Sequence, residues 1–375
     1  MDLADNKIRI LIAGDFAPTS KHNYPTKEIF KELEKLGSYD YKLVNLEGPL
    51  TSIYQPVRKT GPNLSIDPEW AKVISANGFK IVSLANNHIL DMGANGLTET
   101  INHCEAAGIL HVGAGANILQ SRSPLRLRKG AHQIAIIARA EEEFSIATES
   151  TAGAAPIDPI EDYYEITKLR KDTDGIIVIL HAGNEKHPLP RPGLKQLCRF
   201  YVDIGADLVV CHHAHYPSGC EVYKNKFISY GLGNLFFPVK KEKSVDWFNG
   251  YFVSLNIDRE VLNYEIIPYS FDIQGIHIFQ GNEKTLFMEK IEHRSEIISS
   301  DDLLHAHWQK FCAKNQKEYI SHILAYNKFD RYLFKTNILK PRHFRKKMVR
   351  LLNYFRCDSH REAIIRIIEQ ELDKC

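Results

Sequence analysis

Side chains able to bind a metal or move a proton recur in one kind of place along this chain. Asp15, Glu47, Asn87 with His88, His181 with Glu185, and His213 with His215 each follow a short apolar run. Any one of them is explained by turn or cap chemistry. Five such tips in one chain point instead to a shared site, because open α/β sheets gather ligands at the carboxyl ends of their strands. Carboxylate, amide oxygen and imidazole are borderline-to-hard ligands, suited to Mn, Fe or Zn rather than to a thiolate site. Their number exceeds what one tetrahedral zinc uses, so two divalent ions are expected. In His213-Ala214-His215, the alternation of a strand would turn both imidazoles to one side.

The elements that must position these groups follow from periodicity. Residues 8–13, 41–44, 82–85, 109–112, 133–138, 175–180, 207–211 and 227–230 read as strands. The branched, unbroken run at 175–180 suits a strand buried on both faces. Residues 251–257 and 261–268 read as a hairpin around Asp258-Arg259-Glu260. Helices are expected over 25–36, from Asp67-Pro68 to Asn77-Gly78, over 93–107 and over 192–204. The polar stretch 51–67, with Arg58 and Lys59, reads as a loop flanking the site, and the acidic stretch 139–165 as an irregular lid. Gly113-Ala114-Gly115-Ala116-Asn117 carries neither the Walker pattern nor the dinucleotide fingerprint.

At 375 residues, the chain suits one large α/β domain plus an appendage. We place the division at residues 272–285, giving 1–275 and a mainly helical extension, 276–375. A net charge of +2 argues against a general polyanion binder, and no nucleic acid partner is expected. Cysteines at 104, 198, 211, 220, 312, 357 and 375 form no Cys-x-x-Cys pair, the pattern of reduced thiols. The polar residues 1–7 leave no room for a signal peptide, and no apolar run approaches the ~20 residues of a membrane span. A cytoplasmic protein is expected, with peripheral contact to the inner membrane as an option. That contact would use 341–356, where Phe344, Met348, Leu351, Leu352 and Phe355 recur at helical spacing among arginines and lysines with no acid.

Gly14-Asp15, the run Val44-Asn45-Leu46-Glu47-Gly48-Pro49-Leu50-Thr51, residues 83–93, Gly113-Ala114-Gly115, His181-x-Gly183-x-Glu185, residues 205–215 and Tyr230-Gly231-Leu232-Gly233-Asn234 together resemble one family. It is the bacterial capsule synthesis proteins of CapA or PgsA type (polyglutamate capsule), a branch of the calcineurin-like metallophosphoesterases. The resemblance spans about residues 8–270. It implies a four-layer α/β/β/α metallophosphoesterase-like sandwich and a metal-dependent hydrolase, a phosphoesterase, acting in capsule or cell-surface polymer biosynthesis.

By that resemblance, Asp15 binds a first metal, Glu47 bridges, Asn87 and His181 bind a second, and His213 and His215 are shared. His88 is the catalytic imidazole, with Asp91 orienting it or capping the next helix. Arg58, Lys59 and Arg191 are candidate contacts to an anionic small-molecule or polymer substrate. Asn234 joins them as a loop residue. Two departures stand out: Asp15-Phe16-Ala17 lacks the histidine of the usual Asp-x-His, and Glu47 replaces an aspartate. Glu185 or Asp91 would have to compensate. The alternative is a non-catalytic accessory subunit of a capsule or polyglutamate synthase, so the capsule-synthesis machinery is the expected partner.

Overall fold

The computed structural model describes residues 7–19, 28–239, 244–258, 261–325 and 327–372. Two sheets dominate it. The first has eight strands: β1 (Ile8–Phe16), β2 (Tyr41–Leu46), β3 (Phe79–Ser83) and β4 (Leu110–Val112) run parallel. β14 (Asn249–Asp258), β15 (Val261–Phe271) and β16 (Ile276–Ile278) add an antiparallel meander beside β1. The short β13 (Asn234–Phe236) pairs with the carboxyl end of β1. The second sheet has six strands, in the order β11 (Cys220–Tyr223), β12 (Lys226–Ser229), β10 (Leu208–His212), β9 (Gly175–His181), β7 (His132–Ala140), β6 (Leu125–Lys129). The two-residue strands β5 (Ala114–Gly115) and β8 (Gly153–Ala154) form a separate pair, with the short helix α3 (Ile118–Arg122) beside it.

Alternation along the second sheet shows the layering. Ile134, Ile136, Ile177, Ile179, Leu208 and Val210 join the core shared with the first sheet. Their neighbours Ala135, Ile137, Ile176, Val178, Val209 and Cys211 join a second core. That core also holds Ile166 of α4 (Pro159–Leu169) and Leu194 and Tyr201 of α5 (Pro192–Asp203). On the other side, α1 (Trp70–Ala76) and α2 (Gly93–Ala106) bury Trp70, Ile74, Leu97 and Cys104 against the first sheet. The order helix, sheet, sheet, helix is the four-layer sandwich expected.

Several local expectations change. The stretch 139–165 is irregular only in its middle: residues 141–157 hold just the two-residue β8, but β7 runs to Ala140, and Asp158 accepts from the amides of Ile160 and Glu161 to start α4 on Pro159. α4 is then fixed by Arg139, which is buried and donates to Asp162 (2.7 Å) and Glu165 (2.6 Å). β6, Leu-Arg-Leu-Arg-Lys, escaped notice because an edge strand with alternate cations reads as a polar loop. The helix expected over 25–36 is a 3-10 turn at Lys31–Leu36; residues 20–27 lie outside the described ones. So do Arg259 and Glu260 of the hairpin turn.

The chain divides into two compact units, Met1–Leu304 and His305–Cys375. β16 belongs to the first unit, as does α6 (Gly281–Ser299), which buries Phe287 and Ile291 in the first core. The division therefore falls later than residues 272–285, since strand pairing and apolar burial carry the first unit further along the chain. The second unit is helical, comprising most of α7 (Asp301–Leu324) together with α8 (Lys328–Lys335), α9 (Arg345–Arg356) and α10 (Asp358–Leu372). Among the described residues, no helix is long and apolar enough to cross a membrane.

Candidate metal centre

The strand ends converge because the chain backbones come unusually close there. A Cβ on Gly14 would lie 1.9 Å from the Gly233 carbonyl oxygen, so only glycine fits. The approach lets the Asp15 amide donate to that oxygen at 3.1 Å. It also sets Asp15 opposite both Asn234 and Asn45. Glu47 follows β2, Asn87 and His88 lie in the turn after β3, and His181 closes β9. β10 ends at His212, whose Nε2 meets the Ala13 carbonyl oxygen at 3.0 Å and ties the two sheets together. His213 and His215 lie beyond the strand in left-handed backbone, with φ of 86° and 58°. Their convergence is thus the work of a strained turn rather than strand alternation, at a cost of about 1–3 kcal/mol per residue.

Two groups of three ligand atoms result, each within 4.8 Å of one another: Asp15, Glu47 and His215, and Glu47, His181 and His213. Glu47 belongs to both. Its Oε1 lies 3.6 Å from His215 Nε2 and 3.8 Å from His181 Nε2. His215 Nδ1 stands 3.5 Å from Asp15 Oδ2, and His213 Nδ1 stands 3.1 Å from His181 Nε2. Asn87 Oδ1 reaches His181 Nε2 at 3.0 Å and so joins the second group. Each bridging histidine of the expected scheme instead sits with one group.

Glu47 is fully buried, and neither carboxylate oxygen has a hydrogen-bond partner among the described residues. An anion so placed is costly unless a cation meets it. Burial raises its pKa well above the carboxylate range, against the pull of His215. Burial likewise drives His181 well below the usual imidazole range, with the other site histidines pushing the same way, and lowers His213. Both shifts favour the neutral imidazole, the form that ligates. Burial also disfavours charge on His215, but Glu47 and Asp15 overcome it and raise its pKa to about 10. Asp15 is lowered despite burial, through its hydrogen bond with His215 and the charge of His212. A buried carboxylate without a hydrogen bond, set among imidazoles, fits a divalent cation on each side.

Beside this cluster, His88 Nδ1 lies 2.6 Å from Asp91 Oδ2. A carboxylate only accepts, so Nδ1–H donates and Nε2 is the nitrogen available to a ligand. Lys59, expected at the surface as an anion contact, has its side chain buried and paired with Asp91. Asp91 Oδ2 also accepts from the Leu64 amide at 2.6 Å. The loop 51–67 is therefore pinned to the His88 pair, and it walls a cavity of about 860 Å³ that His88, His215 and Glu185 line from the other side. Glu185 is exposed and lies outside both ligand groups. Arg58 is exposed on the loop. Arg191 is paired with Glu141 through one guanidinium nitrogen. Asn234 is no loop residue: it starts β13, is buried, and holds His215 Nδ1 at 2.9 Å while donating to the Trp247 carbonyl at 3.0 Å.

Residues 9–239 match the family described as Bacterial capsule synthesis protein PGA_cap. The chain belongs to that family. It is similar to the capsule biosynthesis protein CapA of Bacillus anthracis, at 32% identity over 58% of this chain and 55% of the relative. It is similar also to the PGA biosynthesis protein CapA of Bacillus subtilis (strain 168), at 30% identity over 56% of each. A probable polyglutamine synthesis accessory protein of Mycobacterium tuberculosis is 29% identical over 56% of this chain and 59% of its own length. The chain thus spans about half the length of the curated relatives it matches. Among solved structures, a 5′-nucleotidase precursor from Thermus thermophilus aligns with a TM-score of 0.42 and 14% identity, over 78% of this chain and 59% of that one.

In this PGA_cap member, sequence reasoning missed four residues that hold the candidate ligands in place. Asn45 donates to Asp15 Oδ1 at 2.8 Å, and Asn86 donates to the Leu46 carbonyl at 2.8 Å while its own oxygen receives the His88 amide. Glu143 accepts from Asn87 Nδ2 at 3.2 Å. Trp247 packs its ring 4.8 Å from that of His215. Asn45 and Glu143 carry the signal already used, since each stands at or just past the end of an apolar strand. Trp247 carries none, being brought in by long-range packing alone.

Proposed function

We propose that this PGA_cap member is a metal-dependent hydrolase of phosphate esters, acting in the biosynthesis of a capsule or other cell-surface polymer. One observation carries the reading: two ligand triads share a buried carboxylate that no donor among the described residues satisfies, at the edge of a cavity lined by His88. Asp15, Glu47 and His215 would hold one divalent ion, and Glu47, His181, His213 and Asn87 a second. When bound, such ions supply Lewis-acid polarisation of phosphoryl oxygens and acidify water. His88 Nε2 then addresses the leaving oxygen, with Asp91 fixing the tautomer that presents it. The loop 51–67 walls the cavity in which a substrate would sit. In protein purified without chelators, turnover of an aryl phosphate should fall at least about 100-fold in folded His88→Ala and Asn87→Ala variants; full activity in both would refute the assignment.

A second reading has its own support. Phe16 packs against Trp70 and Phe30, with ring centroids 5.5 and 5.9 Å apart, and Ala17 is buried. No imidazole enters the first site from this motif, and one relative is named an accessory protein. A chain that keeps the fold and binds a polymer synthase without turnover fits these facts. Metal-replete protein that binds such a synthase and turns over no phosphoester would favour it.

A further inference from the structure

Within the second unit, α9 presents to solvent a face of unusual composition. Val349, Leu352 and Phe355 are 63, 47 and 55% exposed. They fall within about a third of the helix circumference, given 100° per residue. Arg345 and Arg356 fall in the same sector, with Lys346 on its flank, and all three are exposed. Leu351 and Tyr354, outside that sector, are half-buried, as is Met348 within it. Packing therefore uses those three and leaves Val349, Leu352 and Phe355 in water. Residues 341–356 contain six arginines and lysines and no acid, although the whole chain has a net charge of only +2.

We propose that this face of α9 docks on an anionic phospholipid surface. Cations flanking exposed branched and aromatic side chains match a headgroup layer above acyl chains, with the helix axis in the interface plane. A polynucleotide would use the cations but leave Val349, Leu352 and Phe355 in water. A second copy of this chain would face the same cations with its own, so charge complementarity favours lipid.

The test is co-sedimentation of the full chain with phosphatidylcholine vesicles, with and without phosphatidylglycerol. Binding only to the anionic vesicles is expected, weakening with salt. Arg345→Gln with Arg356→Gln should cut partitioning about 30-fold, the equivalent of ~1 kcal/mol per cation. Leu352→Ser with Phe355→Ser should also weaken it. All four positions are solvent-exposed, so thermal unfolding should be unchanged. Absence of binding, equal binding to neutral vesicles, or equal partitioning of either double variant would overturn the proposal. So would a reversible dimer or an oligonucleotide complex lost with Leu352→Ser and Phe355→Ser while vesicles remain unbound.

Discussion

At the scale of single residues, the site depends on groups whose role is to hold others still. Lys59 reaches the Nδ1 side of His88, 3.0 Å away, and shares Asp91 with it. Removing it leaves one carboxylate oxygen of a buried Asp91 without its partner, at a cost of about 1–3 kcal/mol. Lys59→Met should therefore lower the melting temperature and reduce turnover about 10- to 100-fold. Bound metal should be unchanged, because Lys59 meets Asn87 only at its backbone carbonyl, 3.4 Å away, and not at the ligating amide. Thermal unfolding, kinetics and elemental analysis of one preparation check all three; loss of metal would contradict the positioning role. The clustering of Asp15, Glu47, Asn87, His181, His213 and His215 was legible because each is a borderline or hard donor after an apolar run. The fate of Lys59 and Arg191 was not, since a cation's burial is decided by which acid the fold brings to it.

At the scale of elements, the parallel strands were plain in the sequence because buried strands must be continuous apolar runs. Their ends were less plain. β1 extends through Phe16, so Asp15 lies within the strand, held by β13 and β2 on either side. The crossing at Gly14 and Gly233 makes that possible. Gly14→Ala would drive a methyl into a backbone oxygen, which cannot turn aside as a side chain would. It should destabilise the chain by about 3 kcal/mol or more and release Asp15 from its register. Urea unfolding with intact midpoint and slope would show that the strands can part without cost. The helix α4 was missed because Ile160, Tyr163 and Tyr164 face solvent while an acid, Asp162, joins Ile166 and Leu169 in its buried line, which blurs the apolar period; only Asp158-Pro159 marked its start. The turn at His213 and His215 was misjudged because left-handed backbone at histidine has no signature in composition.

For the whole molecule, the +2 net charge hid a division of labour between units. All ligand residues, the cavity and both cores lie in Met1–Leu304, and the basic, apolar face of α9 lies in His305–Cys375. A chain ending at Leu304 should therefore keep the metal content and melting temperature of the full protein, as calorimetry and elemental analysis would check; an unfolded or metal-free fragment would show the second unit to be part of the core. The central claim is that Glu47 stands between two cations. It is tested most directly by counting divalent metal in chelator-free wild type and in Glu47→Gln, alongside the melting shift on adding Mn²⁺. The account predicts near two equivalents in the wild type and a clear stabilisation, about 2.7 kcal/mol at a hundredfold excess over Kd. It predicts loss of both ions and of the shift in Glu47→Gln, whose metal-free form should be at least as stable as the metal-free wild type. Two equivalents retained in Glu47→Gln, or no metal taken up by the wild type, would contradict it.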